Sequence, residues 1–268
     1  MRPLETRAAR ATARYPVNAP NGDSMSYDVR AVLVDNEGCL VHGKGLRFRN
    51  LRIDLLRRWI HAHPCVHFGL ATGRSVPYVE AMTQVLGLTN RASGKPSDGR
   101  VETPSICETG SVLYWPWSDR YEVLGELPAT RGLISHLRDV PYRVELGKVA
   151  CLSLYPEDGL SVPKLLELVI AFDGIDQFEV SSSAAAVDIT PSGVDKGTAV
   201  ELVRTRLGLE RQHVLCIGDS GNDLSMRRVA GWFACPANAT DLCAQEADYR
   251  SPYPATKGVI DILDHFLG

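Results

Sequence analysis

The stretch Ala31-Val32-Leu33-Val34-Asp35-Asn36-Glu37-Gly38 decides how the rest of the chain is interpreted. Its four apolar residues are typical of a buried strand, and the run ends abruptly in acidic residues and a glycine. Asp35 then lies at the carboxyl end of that strand. Ligands bind at this end in open α/β sheets, because the loops that leave the strands open a crevice there. The stretch therefore predicts a sheet with a ligand site beside Asp35.

The segments that follow have the order strand, helix, strand, helix. Apolar residues at helical spacing predict a helix over about 50–61, and an apolar run predicts a strand at 66–70 that ends in Thr72-Gly73-Arg74. Ser75 is a suitable cap for a second helix, which Gly87 ends. The right-handed crossover rule makes the two strands parallel neighbours. Thr72 and Gly73 are therefore expected at the same sheet edge as Asp35.

The pattern changes between residues 113 and 186. Short strand-like runs there alternate with helical stretches near 131–138 and 163–172, which favours an antiparallel α+β module. The α/β order resumes at Lys196, which opens a helix, and at a strand over 213–217 that leads to Asp219 and Asp223. We therefore predict an α/β fold: a Rossmann-like parallel-sheet core at 28–112 and 187–268, with an inserted α+β cap at 113–186.

Residues 1–27 are predicted to be a disordered N-terminal extension. Its first 24 residues hold four arginines among alanines and prolines and lack a sustained apolar stripe. A transit peptide is an alternative interpretation, because such segments are arginine-rich and poor in acid. A start at Met25, just before the first strand, is another.

Composition limits the function classes. A chain of 268 residues with 44% hydrophobic residues can bury a large core. The net charge of -3 and the absence of long charged blocks argue against nucleic acid or a membrane surface as the main partner. Seven cysteines without a C-x-x-C pair favour a reducing, cytoplasmic setting. No apolar run approaches the roughly 18 residues of a membrane span. The sequence does not indicate an oligomeric state.

Polar residues follow three predicted strands: Asp35 with Glu37, Thr72 with Gly73, and Asp219 with Asp223. Carboxylates gathered at one sheet edge repel each other unless a cation joins them, and Mg²⁺ fits because it prefers oxygen ligands. Threonine and Lys196 are donors suited to phosphate. Each residue alone has a commoner explanation as a turn former, a helix cap or a solvated charge. Their joint occurrence at strand ends indicates a phosphoryl-transfer site.

Four ordered motifs resemble those of the haloacid dehalogenase superfamily of phosphatases: Asp35-x-Glu37-Gly38, Leu70-Ala71-Thr72-Gly73-Arg74, Lys196, and Gly218-Asp219-x-x-Asn222-Asp223. The resemblance covers roughly residues 29–266. The insert between the second and third motifs resembles the branch with a large α/β cap. The stretch from Gly218 to Thr240 is most similar to archaeal-type phosphoglycolate phosphatases and their sugar-phosphatase relatives.

The resemblance implies a magnesium-dependent phosphatase acting on a small phosphorylated metabolite, phosphoglycolate or a sugar phosphate. Asp35 would attack phosphorus and form an aspartyl phosphate. The Mg²⁺ ligands would be Asp35, the backbone carbonyl of Glu37 and Asp219, with Asp223 bound directly or through water. The phosphoryl oxygens would be held by Thr72, the Gly73 amide and Lys196, with Asn222 supporting the phosphate or Lys196. The cap would exclude water and recognise the leaving group.

Glu37 departs from the pattern, because the family has Asp at the position that acts as acid and then as base. The extra methylene matters, since a misplacement of about 1 Å can cost about 10²-fold in rate. A phosphometabolite-binding protein with turnover impaired by Glu37 is therefore one alternative. A phosphomutase on the same fold, which would need a bisphosphate activator and give an isomer instead of free phosphate, is another. Cys39 replaces the usual threonine. Arg74, Arg143 and Lys148 are candidates for binding a carboxylate or second phosphate of the substrate.

Overall fold

The computed structural model describes residues 27–43, 47, 52–89 and 102–268. Apart from Tyr27, the predicted N-terminal extension and its alternatives lie outside these residues. The strands are β1 (Ala31–Val34), β2 (His67–Leu70), β3 (Ser105–Cys107), β4 (Val112–Trp115), β5 (Arg120–Val123), β6 (Tyr142–Val144), β7 (Leu152–Pro156), β8 (Phe178–Ser182), β9 (Val187–Pro191), β10 (Val214–Ile217), β11 (Trp232–Cys235) and β12 (Tyr249–Arg250). The helices are α1 (Ile53–Ala62), α2 (Val76–Leu86), α3 (Arg131–His136), α4 (Val162–Ile170), α5 (Lys196–Arg206), α6 (Leu224–Arg227), α7 (Asp241–Glu246) and α8 (Ala255–Leu267).

A five-stranded parallel sheet has the order β12-β11-β10-β1-β2. In its centre, Val34 pairs with Ile217 of β10 on one side and with Leu70 of β2 on the other. The residues that follow these three strands therefore meet at one sheet edge, which is the edge predicted for Asp35. The predicted α/β fold with a parallel sheet is confirmed.

Both faces of this sheet are covered, which explains why β1 is apolar throughout. Val32 and Val34 face a hydrophobic cluster to which α1, α2 and α8 contribute. Ala31 and Leu33 face a second cluster, formed with α5, α6 and α7. None of the helices in the described ranges is both long and apolar enough to cross a membrane.

The remaining strands form two antiparallel sheets, β3-β4-β5 and β6-β7-β9-β8. The four-stranded sheet packs against α3 and α4 around a hydrophobic cluster that includes Leu133, Leu154 and Leu165. β4, which the sequence pattern does not predict, contributes Leu113 and Trp115 to a cluster of the parallel sheet. β9 (Val187–Pro191) lies wholly beyond the expected cap boundary at 186, yet it pairs with β7 and β8 in the four-stranded sheet. The division into core and cap at 113–186 stays a prediction.

Candidate active site

Three carboxylates meet at the carboxyl edge of the parallel sheet. Asp35 follows β1, and Asp219 and Asp223 lie in the loop that leaves β10. One oxygen from each of the three lies within 4.8 Å of the others. Asp35 and Asp223 are buried and Asp219 is half-buried. The structure thus gathers the three aspartates that the sequence analysis placed at one edge.

Lys196 is the buried cation of this cluster. Its Nζ donates to Asp35 Oδ1 at 2.9 Å and to Asp223 Oδ1 at 2.6 Å, and its side chain is fully buried. The position follows from the start of α5, where the Asp195 side chain caps the helix by accepting from the Thr198 amide at 2.7 Å. A buried ammonium held by two carboxylates links motifs that are 161 residues apart in sequence.

The charges of the cluster are not balanced by Lys196 alone. Burial, and then the charge of Asp223, raise the pKa of Asp35 well above its ordinary value. The same two causes raise the pKa of Asp219 to about 7. Burial lowers the pKa of Lys196, but Asp223 and Asp35 more than offset this, so that its pKa is raised. One ammonium among three carboxylates leaves a site that favours a further cation.

Gly38 brings the Asp35 loop against Asp219. Its φ is +80°, and a Cβ added there would lie 2.1 Å from Asp219 Oδ2. Its carbonyl oxygen accepts from Asn238 Nδ2 at 2.9 Å, and Asn238 Oδ1 accepts from the Ala255 amide at the start of α8 at 2.9 Å. The Asp35 loop is thereby held beside Asp219, and the possible metal ligands gathered there are the carboxylate oxygens of Asp35, Asp219 and Asp223. Such a set fits a hard divalent cation such as Mg²⁺.

Gly38→Ala is expected to disrupt this packing, because its Cβ cannot fit beside Asp219. Gly147→Ala is a matched control, since Gly147 has a φ of +83° and nothing within 4 Å of an added Cβ. Both variants carry the left-handed backbone strain of about 1 kcal/mol. We expect Gly38→Ala alone to weaken the stabilisation by Mg²⁺, measured as the rise in melting temperature with Mg²⁺ concentration. Equal responses of the two variants would contradict this assignment of Asp219.

Both carboxylate oxygens of Asp223 are engaged. Oδ1 accepts from Lys196, and Oδ2 accepts from the backbone amides of Asp219 and Ser220, both at 3.0 Å. Asp223 thereby fixes the loop as well as the lysine. Asn222 is buried next to it, and its Oδ1 accepts from Ser220 Oγ at 3.0 Å. Asn222 also lines a cavity of about 280 Å³ against Glu179 and Ser181 of β8.

Thr72 lies buried beside Glu37. Its amide donates to the Ile106 carbonyl at 2.9 Å, and its hydroxyl donates to Glu37 Oε2 at 3.4 Å. Gly73 comes next, and a Cβ there would lie 3.3 Å from Thr109 Oγ1. The second strand end therefore adds a hydroxyl and a glycine amide to the edge where Asp35 lies.

Glu37 forms an ion pair with Arg74, through Oε1 and Nε. The same guanidinium reaches Glu145, with Nη1 3.4 Å from Oε1. Glu145 belongs to the loop between β6 and β7, so this contact joins the site to the four-stranded sheet. Sequence reasoning named Glu37 and Arg74 but not their pairing.

Lys148 and Arg143, the other candidate substrate-binding cations, have different surroundings. Lys148 has a side chain only 2% exposed and lies 3.2 Å from Glu145 and 3.7 Å from Asp188. Arg143 is exposed and pairs with Glu157 at 3.5 Å. Sequence reasoning missed Glu145 and Asp188. Asp188 could have been found, because an acidic residue inside the apolar run Ala186-Val187-Asp188-Ile189 is unusual. Glu145 lies in a polar stretch, and no sequence signal indicates it.

Comparisons with known proteins give the family. A model of haloacid dehalogenase-like hydrolases matches residues 165–263. The chain is 30% identical over 246 residues to a phosphoglycolate phosphatase of Archaeoglobus fulgidus, covering 89% of this chain and 97% of that protein. It is 26% identical over 243 residues to a phosphoglycolate phosphatase of Methanothermobacter thermautotrophicus, covering 90% and 100%.

Solved structures show the same fold. The structure of Thermoplasma acidophilum 0175 aligns with a TM-score of 0.70 at 22% identity, covering 89% of this chain and 98% of that one. A sucrose-phosphatase from Synechocystis, solved with sucrose and phosphate, aligns with a TM-score of 0.66 at 16% identity, covering 90% and 98%.

Fold and relatives together define a hydrolase that acts on phosphoric monoesters. The chain belongs to the haloacid dehalogenase-like hydrolase family. The predicted family and enzyme class are confirmed.

Proposed function

We propose that the chain is a Mg²⁺-dependent phosphatase that hydrolyses a small phosphomonoester, phosphoglycolate or a sugar phosphate, through an aspartyl phosphate on Asp35. One observation carries the proposal: the fully buried Lys196 bonds to Asp35 and Asp223 within a cluster of three carboxylates. The two substrates follow from the names of relatives, which include phosphoglycolate phosphatases and a sucrose-phosphatase.

Asp35 is the proposed nucleophile. Its carboxylate attacks phosphorus, the bond from phosphorus to the ester oxygen breaks, and the leaving oxygen takes a proton from Glu37. Water then attacks the aspartyl phosphate and gives its proton to the Glu37 carboxylate, which releases phosphate and restores Asp35. Glu37 thereby serves first as acid and then as base.

The phosphoryl group is held by donors that the fold fixes in advance. The Thr72 hydroxyl, the Gly73 amide and the Lys196 ammonium are proposed to bind its oxygens, and Asn222 supports them. Lys196 has no freedom to move away, because two carboxylates hold it. Such preorganised charge stabilises the transition state without reorganisation during the reaction.

Mg²⁺ would be held by Asp35, the backbone carbonyl of Glu37 and Asp219, with Asp223 bound directly or through water. When bound, it neutralises carboxylate and phosphate charge that would otherwise repel the nucleophile from the substrate. The presence of only one ammonium among the three clustered carboxylates supports this assignment, and after burial it is the charge of Asp223 that raises the pKa of both Asp35 and Asp219.

The test is phosphate release from a panel containing 2-phosphoglycolate, hexose phosphates and sucrose phosphate. We expect turnover of at least one ester with Mg²⁺, and its loss with EDTA. Absence of release from the whole panel would contradict the proposal, as would release unaffected by EDTA. A product isomer in place of free phosphate would identify the phosphomutase. Tight binding without turnover would identify the binding protein.

A further inference from the structure

Arg74 lies between the residues proposed to bind phosphate and the four-stranded sheet. Its backbone amide donates to Thr72 Oγ1 at 3.2 Å, so the backbone of Arg74 lies next to a side chain proposed to bind the phosphate. Its guanidinium pairs with Glu37 on one side and with Glu145 on the other. The side chain is 15% exposed. Arg74 is thus a sheltered cation beside the place where the leaving group would lie.

The guanidinium keeps its position by contacts other than Glu37. It stacks over the Tyr78 ring, with 4.5 Å from Cζ to the ring centroid, and the Tyr78 hydroxyl accepts from Asn36 Nδ2 at 3.1 Å. Its second partner, Glu145, is itself fixed by the Tyr155 hydroxyl at 3.1 Å. Arg74 would therefore stay in place if Glu37 left it. A preorganised guanidinium loses little freedom when it binds a new carboxylate.

Glu37 is the more replaceable partner of Arg74. Its side chain is 28% exposed, against 12% for that of Glu145. Among the described residues, its other oxygen has only the 3.4 Å contact with the Thr72 hydroxyl, the donor proposed to bind a phosphoryl oxygen. A substrate that uses Thr72 for its phosphate and Arg74 for a carboxylate would take both of these partners from Glu37. The longer side chain would then be free to rotate towards the leaving oxygen.

Lys148 is less suited to receive a substrate anion. It is almost fully buried and already faces two carboxylates, Glu145 and Asp188, as well as the Ser153 hydroxyl. A third anion there would have to displace buried partners, which is costly. Arg74 combines access, a fixed orientation and an exchangeable partner.

We propose that Arg74 is the receptor for a second anionic group of the substrate, and that Glu37 occupies this receptor until the substrate displaces it. The inference rests on the proposed phosphatase function and narrows its substrate class to phosphomonoesters with a carboxylate close to the phosphate. A phosphomonoester with an uncharged leaving group leaves Glu37 paired with Arg74 and is hydrolysed more slowly. Glu37, in place of the aspartate of the family, would thereby select substrates that carry a second anionic group.

The test compares two esters that differ in one charge, 2-phosphoglycolate and 2-hydroxyethyl phosphate, by kcat and KM. We expect the native chain to favour phosphoglycolate by about tenfold or more, as for a charge-assisted hydrogen bond. Arg74→Met should lower kcat/KM for phosphoglycolate at least tenfold, mainly through KM, and raise kcat for 2-hydroxyethyl phosphate because Glu37 is released. Arg74→Lys, which keeps the charge but not the fork, should retain part of the preference.

Arg206→Met is the matched control, because Arg206 also lies near an aromatic ring, that of Trp115, and pairs with a glutamate, Glu122, at 2.7 Å. It should keep the native preference. Equal losses on both esters in Arg74→Met would overturn the inference, as would a native chain without preference. If Arg74→Met does not fold, a preference in Arg74→Lys below that of the native chain supports the inference, and full retention of the native preference overturns it.

Failure of the proposed function gives a different result, namely no phosphate release from either ester by the native chain. Calorimetric binding of the two esters to native and Arg74→Met protein then decides the inference by itself. Tighter binding of phosphoglycolate that depends on Arg74 supports it. Equal affinities for the two esters overturn it.

Discussion

Asp35→Asn is expected to lower kcat for phosphate release by about 10³-fold or more, because the amide cannot form the aspartyl phosphate. The substitution preserves the shape of the side chain. The raised pKa of Asp35 shows that its ionised form is disfavoured by burial and by Asp223. The neutral variant should therefore fold, with a melting temperature at pH 8 without metal no lower than that of the native chain. Release assays and thermal unfolding on the same samples separate lost chemistry from lost structure.

Asp54→Asn is the control for Asp35→Asn. Asp54 is an exposed aspartate in α1 that pairs with Arg58 at 3.2 Å, and it does not belong to the carboxylate cluster. Its replacement should leave kcat unchanged. Phosphate release by Asp35→Asn at a rate within tenfold of the native rate would refute the nucleophile assignment and with it the proposed mechanism.

Lys196→Met should cost both activity and stability. Removal of the ammonium leaves Asp35 and Asp223 buried without their cation, and breaking a buried ion pair costs about 3–5 kcal/mol. Turnover should fall at least 10²-fold, since a fixed charge on the phosphoryl group is lost. Denaturant unfolding and phosphate release measure the two effects. Lys164→Met, which removes an exposed lysine paired with Glu167 at 2.7 Å, should change neither by much.

The loss of stability in Lys196→Met should depend on pH in a defined direction. A carboxyl with a pKa above its unfolded value favours the folded state at low pH, and this contribution disappears as pH rises through the folded pKa. Asp35 already has a raised pKa, and that of Asp219 is about 7. Without Lys196 both should rise further. The deficit relative to native protein should be larger at pH 8 than at pH 5, and Lys196→Met with Asp223→Asn should recover part of it. A deficit independent of pH would contradict the electrostatic explanation.

The sequence predicted the parallel sheet and the cluster around Asp35 because both depend on local rules. An apolar run ending in Asp35, with the crossover rule, places strand ends at one edge without knowledge of packing. The contact between Arg74 and Glu145 is different, since it depends on how the loop after β6 lies against the site. No periodicity in either segment encodes that placement. β4 was missed although its four residues are apolar and buried like those of β1, because a short apolar run alone does not distinguish a strand from another buried segment.

The bridge made by Asn238 has a consequence for the order in which this protein can be assembled on the ribosome. The Asp35 loop is among the first described residues to be synthesised, yet Gly38 is held by Asn238, which in turn is held by the Ala255 amide. β1 likewise cannot pair with β10, its neighbour in the sheet, until the residues 183 positions later in the chain have been synthesised. Contacts of such long sequence separation form late in folding. A nascent chain that has completed only its first half therefore carries Asp35 but lacks Lys196, Asp219 and Asn238, which contact Asp35 or its loop in the folded protein.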